Sequence, residues 1–241
     1  MSEASVECVG EMTSSSATWA LISRSALADA AAVAVAAGGR IADLRGDAYG
    51  HGILPIARAV MLAGARSVVV DTVHDVEMLE AESIPATISD VPDIDPHLLY
   101  AIPRADGSGP RPVLRLTGRV LSTKRLLAGD AVSYGYTYRA PVARTVALVT
   151  GGYAQGIVRS LGNRAHAEIA GTLCPIIGRV AMDVCVVDLD DRDAAAGDEV
   201  TYFGGAGAAS AQLLEWEHVT GMRSTELLAV AGQHAIRGEE R

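Results

Sequence analysis

Apolar residues recur at helical spacing over residues 25–37, 54–63 and 73–82, and short apolar runs of strand length lie between and after them at 40–44, 67–71 and 85–88. Alternating helix and strand periods of this kind predict parallel strands joined by helical crossovers. The alternation stops at residues 89–112, where Asp90, Pro92, Asp95, Pro96, Pro103, Gly107, Gly109, Pro110 and Pro112 give linker chemistry and predict a domain boundary. Strand patterns dominate beyond it, at 113–122, 131–138, 144–150, 167–177, 184–189 and 199–203, with turns at Ala128-Gly129-Asp130 and Ala196-Gly197-Asp198. Two amphipathic helical stretches, 210–220 and 224–234, follow them. Residues 1–16 are polar and read as a flexible tail.

Composition narrows the class. The chain has 241 residues, 49% hydrophobic and 20% charged, enough apolar surface for one or two cores. A net charge of -9 excludes the clustered positive field that nucleic acid or an anionic membrane surface requires. Cys8, Cys174 and Cys185 have neither zinc spacing nor an even count, so they read as reduced thiols of a cytoplasmic protein, with no metal site. Glu3, Glu7 and Glu11 stand where a signal peptide would be basic, and the Ala-rich run 26–37 is broken by Asp29 and ends at Gly38-Gly39. No stretch approaches the roughly 18 apolar residues of a membrane span.

Several motifs carry a resemblance. Asp47-Ala48-Tyr49-Gly50-His51-Gly52 resembles the cofactor loop of the alanine racemase family, and Thr18-Trp19-Ala20 its opening strand. Further on, the stretch from Val132 through Ser133, Tyr134, Gly135, Tyr136 and Thr137 to Tyr138 resembles its catalytic-tyrosine strand. Gly152-Tyr153-Ala154-Gln155-Gly156 resembles its GYADG turn, and residues 175–183 its PIVGRxxMD strand. These matches are collinear and span most of residues 17–190. The resemblance implies an α/β plus β chain: an incomplete (β/α) barrel fragment over residues 17–105, followed by a C-terminal β-barrel-like domain over 106–241. It also implies pyridoxal 5'-phosphate as cofactor, interconversion of L- and D-alanine for cell-wall precursors, and a head-to-tail dimer. In such a dimer a tyrosine from one subunit and the cofactor lysine of the other exchange the α-proton on opposite faces of the substrate, and two bases are what racemisation needs. The tyrosine maps to Tyr134. Substrate-binding positions map to Tyr153, Arg159, Arg179 and Met182, and a cofactor-phosphate contact to Tyr49.

This copy departs from the pattern at its chemical centre. Arg45 stands where the family's lysine forms a Schiff base, and an arginine stays protonated and cannot form an imine. Lys124, the chain's one lysine, falls on the first strand of the β domain. About three βα units precede the linker, whereas a full barrel of this kind takes about 250 residues for eight. The family's last barrel strand, with its pyridine-contacting Arg, is matched only by residues 94–100, which lack that Arg. Thr225 replaces a phosphate-contacting Tyr, and Gln155 replaces the Asp of GYADG.

Plainer readings stand beside these. Tyr49 is a cofactor contact or a remnant loop aromatic, and His51 a hydrogen-bonding loop residue. Tyr134, Tyr153, Arg159 and Arg179 are interface or surface residues. Arg45 is structural or binds an anion. Asp188, Asp190, Asp191 and Asp193 match no calcium-loop spacing and read as a solvated turn. Three expectations follow: an active racemase, a non-catalytic partner that docks its β domain onto a full-length alanine racemase, or a decayed duplicate; the assembly expected is a homodimer or a heterodimer with a full-length alanine racemase. Three βα units are also expected to leave two open strand edges and an apolar face.

Overall fold

The computed structural model describes residues 17–104 and 111–240; the tail, Cys8 and the middle of the linker fall outside them. The chain opens with β1 (Trp19–Ser23) and α1 (Arg24–Ala36). Ser23 caps α1, its hydroxyl accepting from the Ala26 amide, and Ala26, Leu27, Ala30, Ala31, Ala34 and Val35 form its buried stripe. Three βα units follow: β2 (Ile41–Asp43), a single turn α2 (Arg45–Tyr49), α3 (Ile53–Leu62), β3 (Ser67–Val69), α4 (Val73–Ala81) and β4 (Ala86–Thr87). Strands β2, β3 and β4 pair in parallel in that order, as the alternating pattern predicts.

The two edges of this sheet differ. On the β2 edge, the amides of Arg40 and Ile41 donate to the Asp93 carboxylate at 2.6 Å each, and the amides of Asp93 and Ile94 donate back to the Ile41 carbonyl. That edge is therefore satisfied and not open, a correction to the expectation of two free edges. The β4 edge has exposed Ile88 and Val91 beside it.

Residues 94–102 also differ from their linker composition. Asp95 caps and Pro96 starts the short helix α5 (Pro96–Leu99), which packs on α1. Ile94, Leu99, Tyr100, Ala101 and Ile102 are buried. The stretch matched to a barrel strand is thus a capped helical turn, because an Asp-Pro start favours a helix N-terminus over a strand.

The second half is a closed barrel of six strands. Its strands are β5 (Leu114–Leu126), β8 (Arg144–Thr150), β9 (His166–Ile169), β10 (Thr172–Ile177), β11 (Val184–Asp190) and β12 (Glu199–Phe203), and the β12–β5 pairing closes the ring. The run 167–177 splits into two strands at a turn where Ala170 and Gly171 have positive φ. The run 131–138 is not one strand. It is a hairpin of β6 (Ala131–Val132) and β7 (Tyr138–Arg139) with a 3-10 turn over Tyr134–Tyr136 at its tip.

The chain's first strand belongs to this second sheet. β1 pairs antiparallel with β5, Trp19 opposite Thr117, and parallel with the final strand β13 (Ile236–Glu240). Helices α6 (Gln212–Thr220) and α7 (Ser224–His234) lie between β12 and β13 in sequence. One continuous core joins α1, α3, the parallel strands, the barrel and α7.

Candidate active site

Position 45 lies just beyond the end of β2. Asp43 ends β2 and Arg45 opens the turn, and the bend of the chain at Leu44 (φ -114°, ψ 17°) between them is compatible with their side chains meeting. The Arg45 guanidinium grips the Asp43 carboxylate with two parallel bonds, Nε to Oδ1 at 2.8 Å and Nη2 to Oδ2 at 2.7 Å. The Arg45 amide donates to Oδ1 at 3.1 Å, and the Tyr49 hydroxyl donates to Oδ2 at 3.2 Å. Burial, the largest single influence, pushes the Asp43 carboxyl up, but Arg45 and Tyr49 together outweigh it and hold the group below the usual carboxylate range. Its hydrogen bonds to Asp43, and then the Asp43 charge, raise the Arg45 guanidinium above its ordinary value. Burial and then the Asp43 charge raise the Tyr49 hydroxyl.

The turn itself is left-handed at Gly46, Asp47, Ala48 and Tyr49 and is held from several sides. Asp71 accepts from the Gly46 amide at 2.6 Å, Asp47 accepts from the Ile53 amide at 3.0 Å, and Arg237 of β13 pairs with Asp47. The Tyr100 hydroxyl donates to the Asp43 carbonyl at 2.9 Å, and the Tyr100 ring meets Tyr49 edge-on. His51 is fully buried against Tyr100 with ring centroids 4.4 Å apart. Its Nδ1 lies 2.9 Å from the Ala48 carbonyl and 3.1 Å from that of Tyr49, both acceptors, so Nδ1 carries the proton. Nε2 is left buried without a partner, and burial pushes the imidazole down to about 4. His51 thus acts as the expected hydrogen-bonding loop residue.

The other predicted residues gather on a separate surface of the barrel. Tyr134 is 75% exposed at the hairpin tip, with Tyr136 and Met182 also exposed. The Arg179 guanidinium lies against Gly135, and the Arg179 amide donates to the Ser133 hydroxyl at 2.6 Å. Asn163 ties the same surface together, accepting from the Gly178 amide at 2.7 Å and donating to Thr137 at 3.2 Å. The amides of Tyr153 and Ala154 donate to the carbonyls of Ala181 and Met182, and the Arg159 guanidinium sits 5.7 Å from the Tyr153 ring centre. Tyr134, Tyr153, Arg159, Arg179 and Met182 therefore form one face, while Arg45 and Tyr49 form another cluster.

Two groups that support these clusters are not assigned that role by the local pattern. Asp43 is one; a charge alternating with Arg45 at a strand end was its only trace. Asp188 is the other. It is buried and paired with Arg144, with the Tyr138 hydroxyl 3.4 Å from its carboxylate, so it is not part of a solvated turn as its acidic neighbours suggested. With Leu126, Val132, Ala140, Val146 and Ile177 beneath it, this pair anchors the hairpin that carries Tyr134.

Helix α7 links the two clusters. At Gly50 a Cβ would stand 2.6 Å from the Leu228 carbonyl oxygen, and at Gly232 one would stand 2.2 Å from the Gly50 carbonyl oxygen, so loop and helix meet backbone to backbone. On its other flank, Gly156 of the turn after Tyr153 lies against Ala231.

Comparison with known proteins places this arrangement. The family model described as alanine racemase, C-terminal domain, matches residues 113–238. The chain belongs to the alanine racemase family. It is 40% identical over 147 residues to an alanine racemase of Mycolicibacterium vanbaalenii, a match covering 59% of this chain and 38% of that protein. To one from Thermobifida fusca it is 34% identical over 146 residues, covering 61% of this chain and 39% of the relative. The chain therefore matches about two-fifths of the length of these relatives. Among solved structures, alanine racemase from the D-cycloserine producer Streptomyces lavendulae superposes with TM-score 0.80 at 18% identity, covering 95% of this chain and 98% of that one. The Bartonella henselae alanine racemase, solved with covalently bound pyridoxal phosphate, superposes with TM-score 0.71 at 17% identity, covering 93% of this chain and 99% of that one. These likenesses establish the fold. Among the described residues, no helix is long and apolar enough to cross a membrane.

Proposed function

We propose that this alanine racemase homologue is a non-catalytic member of its family, and that its barrel face supplies Tyr134 to the active site of a full-length alanine racemase in a mixed dimer. One contrast carries the reading: the barrel face is ordered and exposed, whereas the family's reactive position holds an arginine clamped on a buried carboxylate. A guanidinium keeps its proton at physiological pH, so it is neither the nucleophile for a cofactor aldehyde nor a base that takes the α-proton.

The residues around Arg45 do not fit pyridoxal phosphate. The Tyr49 hydroxyl, which the resemblance gives to the phosphate, donates instead to Asp43. The Asp43 carboxylate adds a negative charge where a dianionic ligand would approach. No step of racemisation is assigned to this cluster.

The barrel face has the chemistry of an interface centre: three tyrosines, a methionine and arginines, the residue types that concentrate at the cores of protein contacts. Two neighbouring segments and Asn163 hold it in shape before any partner arrives, which lowers the ordering cost of association.

The test mixes the purified chain with a full-length alanine racemase from the same cell and follows mass by light scattering and racemisation in parallel. A one-to-one complex that weakens at least tenfold in Y134A/Y136A is expected, with no turnover by the chain alone. Self-association only, or no complex at all, defeats the docking reading and leaves a homodimer or a decayed duplicate. Turnover by the unmixed chain defeats the non-catalytic reading.

A further inference from the structure

We propose that Asp43 is a second and independent block at the reactive position: its carboxylate captures whatever cation stands at position 45, together with the Tyr49 hydroxyl, and closes the site to an aldehyde ligand even when an amine is restored. The inference rests on the non-catalytic reading above and names the residue that enforces it.

The geometry is specific. Oδ1 receives the Arg45 amide and Nε, and Oδ2 receives Nη2 and the Tyr49 hydroxyl, so both carboxylate oxygens are doubly engaged. The Asp43 side chain is only 10% exposed, against 52% for Arg45. A carboxylate so placed depends on its cation, because an unpaired buried charge is strongly unfavourable. The Tyr100 hydroxyl on the Asp43 carbonyl and the Asp71 carboxylate on the Gly46 amide hold the backbone on both sides of the pair.

The consequence concerns a lysine at the same position. Its side chain would leave on the same side as the guanidinium does, and its ammonium would be drawn onto the same two oxygens. An amine paired with a carboxylate is held protonated, and the protonated form has no lone pair for a carbonyl carbon. Tyr49 would remain committed to Oδ2. Restoring the amine without removing the carboxylate therefore leaves the site closed.

The chain contains a single lysine, Lys124, exposed on β5, which serves as an internal standard. R45K, D43N/R45K and the unaltered chain are incubated with pyridoxal phosphate, reduced with borohydride at successive times, and mapped by peptide mass. Modification at residue 45 of R45K is expected to be no faster than at Lys124, and in D43N/R45K at least tenfold faster than in R45K. Equal rates at residue 45 in the two variants overturn the proposal. A second measurement retains Arg45. In D43N, Tyr49 loses its charged acceptor, and a tyrosinate absorbance titration referenced to Y49F is expected to show that hydroxyl ionising at lower pH; an unchanged titration overturns the proposal. Fast modification of R45K would defeat this inference alone, whereas turnover by the unaltered chain would defeat the functional reading on which it rests.

Discussion

The hairpin that presents Tyr134 and the turn that presents Arg45 are both loops at strand ends, yet they are held in opposite ways. The hairpin rests on a small apolar cluster and one ion pair, Arg144 with the buried Asp188, and leaves Tyr134 and Tyr136 exposed. The turn after β2 is tied by side chains from β2, from Asp71 just after β3, from β13 and from residue 100, and its charged groups are satisfied within the chain. The barrel face leaves Tyr134, Tyr136 and Met182 exposed, whereas the Arg45 turn spends its charged groups on contacts within the chain. The difference sets the chain's most consequential departure, Arg45 with Asp43 beside it, in the turn after β2.

Removing one partner of the hairpin's ion pair should separate the two regions most sharply. Asp188→Ala leaves the half-buried Arg144 without its carboxylate, with an expected loss of about 3 kcal/mol in a denaturant titration. Hydrogen exchange should rise around residues 131–140 and stay unchanged at 45–52; a uniform rise would show that the hairpin has no separate anchor.

The turn depends instead on close approach to α7. Gly232→Ala places a methyl on the Gly50 carbonyl and is expected to cost about 3 kcal/mol. The exchange pattern should reverse, with 45–52 affected first. A loss under about 1 kcal/mol, the range of a helix glycine with room around it, would deny that contact.

Acid probes the turn through His51. Its ordinary value near 6.5 falls to about 4 in the folded chain, chiefly through burial. Because the folded value is the lower, the unfolded chain binds more protons in this window, so stability is full above about pH 6.5 and falls as pH drops toward 4. The loss is expected to total about 3 kcal/mol. His51→Gln should flatten that arm of the stability profile, and persistence of the full slope would assign it to other groups.

Replacing the exposed tyrosines should have the smallest effect on folding. Tyr134→Ala and Tyr136→Ala are expected to change stability by no more than about 0.5 kcal/mol, since neither side chain is buried. A thermal midpoint that falls by many degrees would mean that these rings brace the hairpin and are not held ready for a partner.

The sequence by itself determined the family, through collinear motifs, and the existence of three βα units and a strand-rich second half, because local periodicity and turn residues report directly on strand and helix. It determined that position 45 holds an arginine, which alone excludes imine chemistry there. The tertiary structure decided the rest. Closure of the barrel rests on the pairing of β12 with β5, and β1 is claimed by the second sheet through β5 and the distant β13; pairing between strands far apart in the chain leaves no periodic trace. Residues 94–102 look like a linker by composition, yet Ile94, Leu99, Tyr100, Ala101 and Ile102 are buried, since these apolar side chains meet the rest of the core only in three dimensions. Asp43 and Asp188 read as ordinary acidic positions along the chain, and became the anchors of the two clusters only when folding removed them from water and set each beside an arginine.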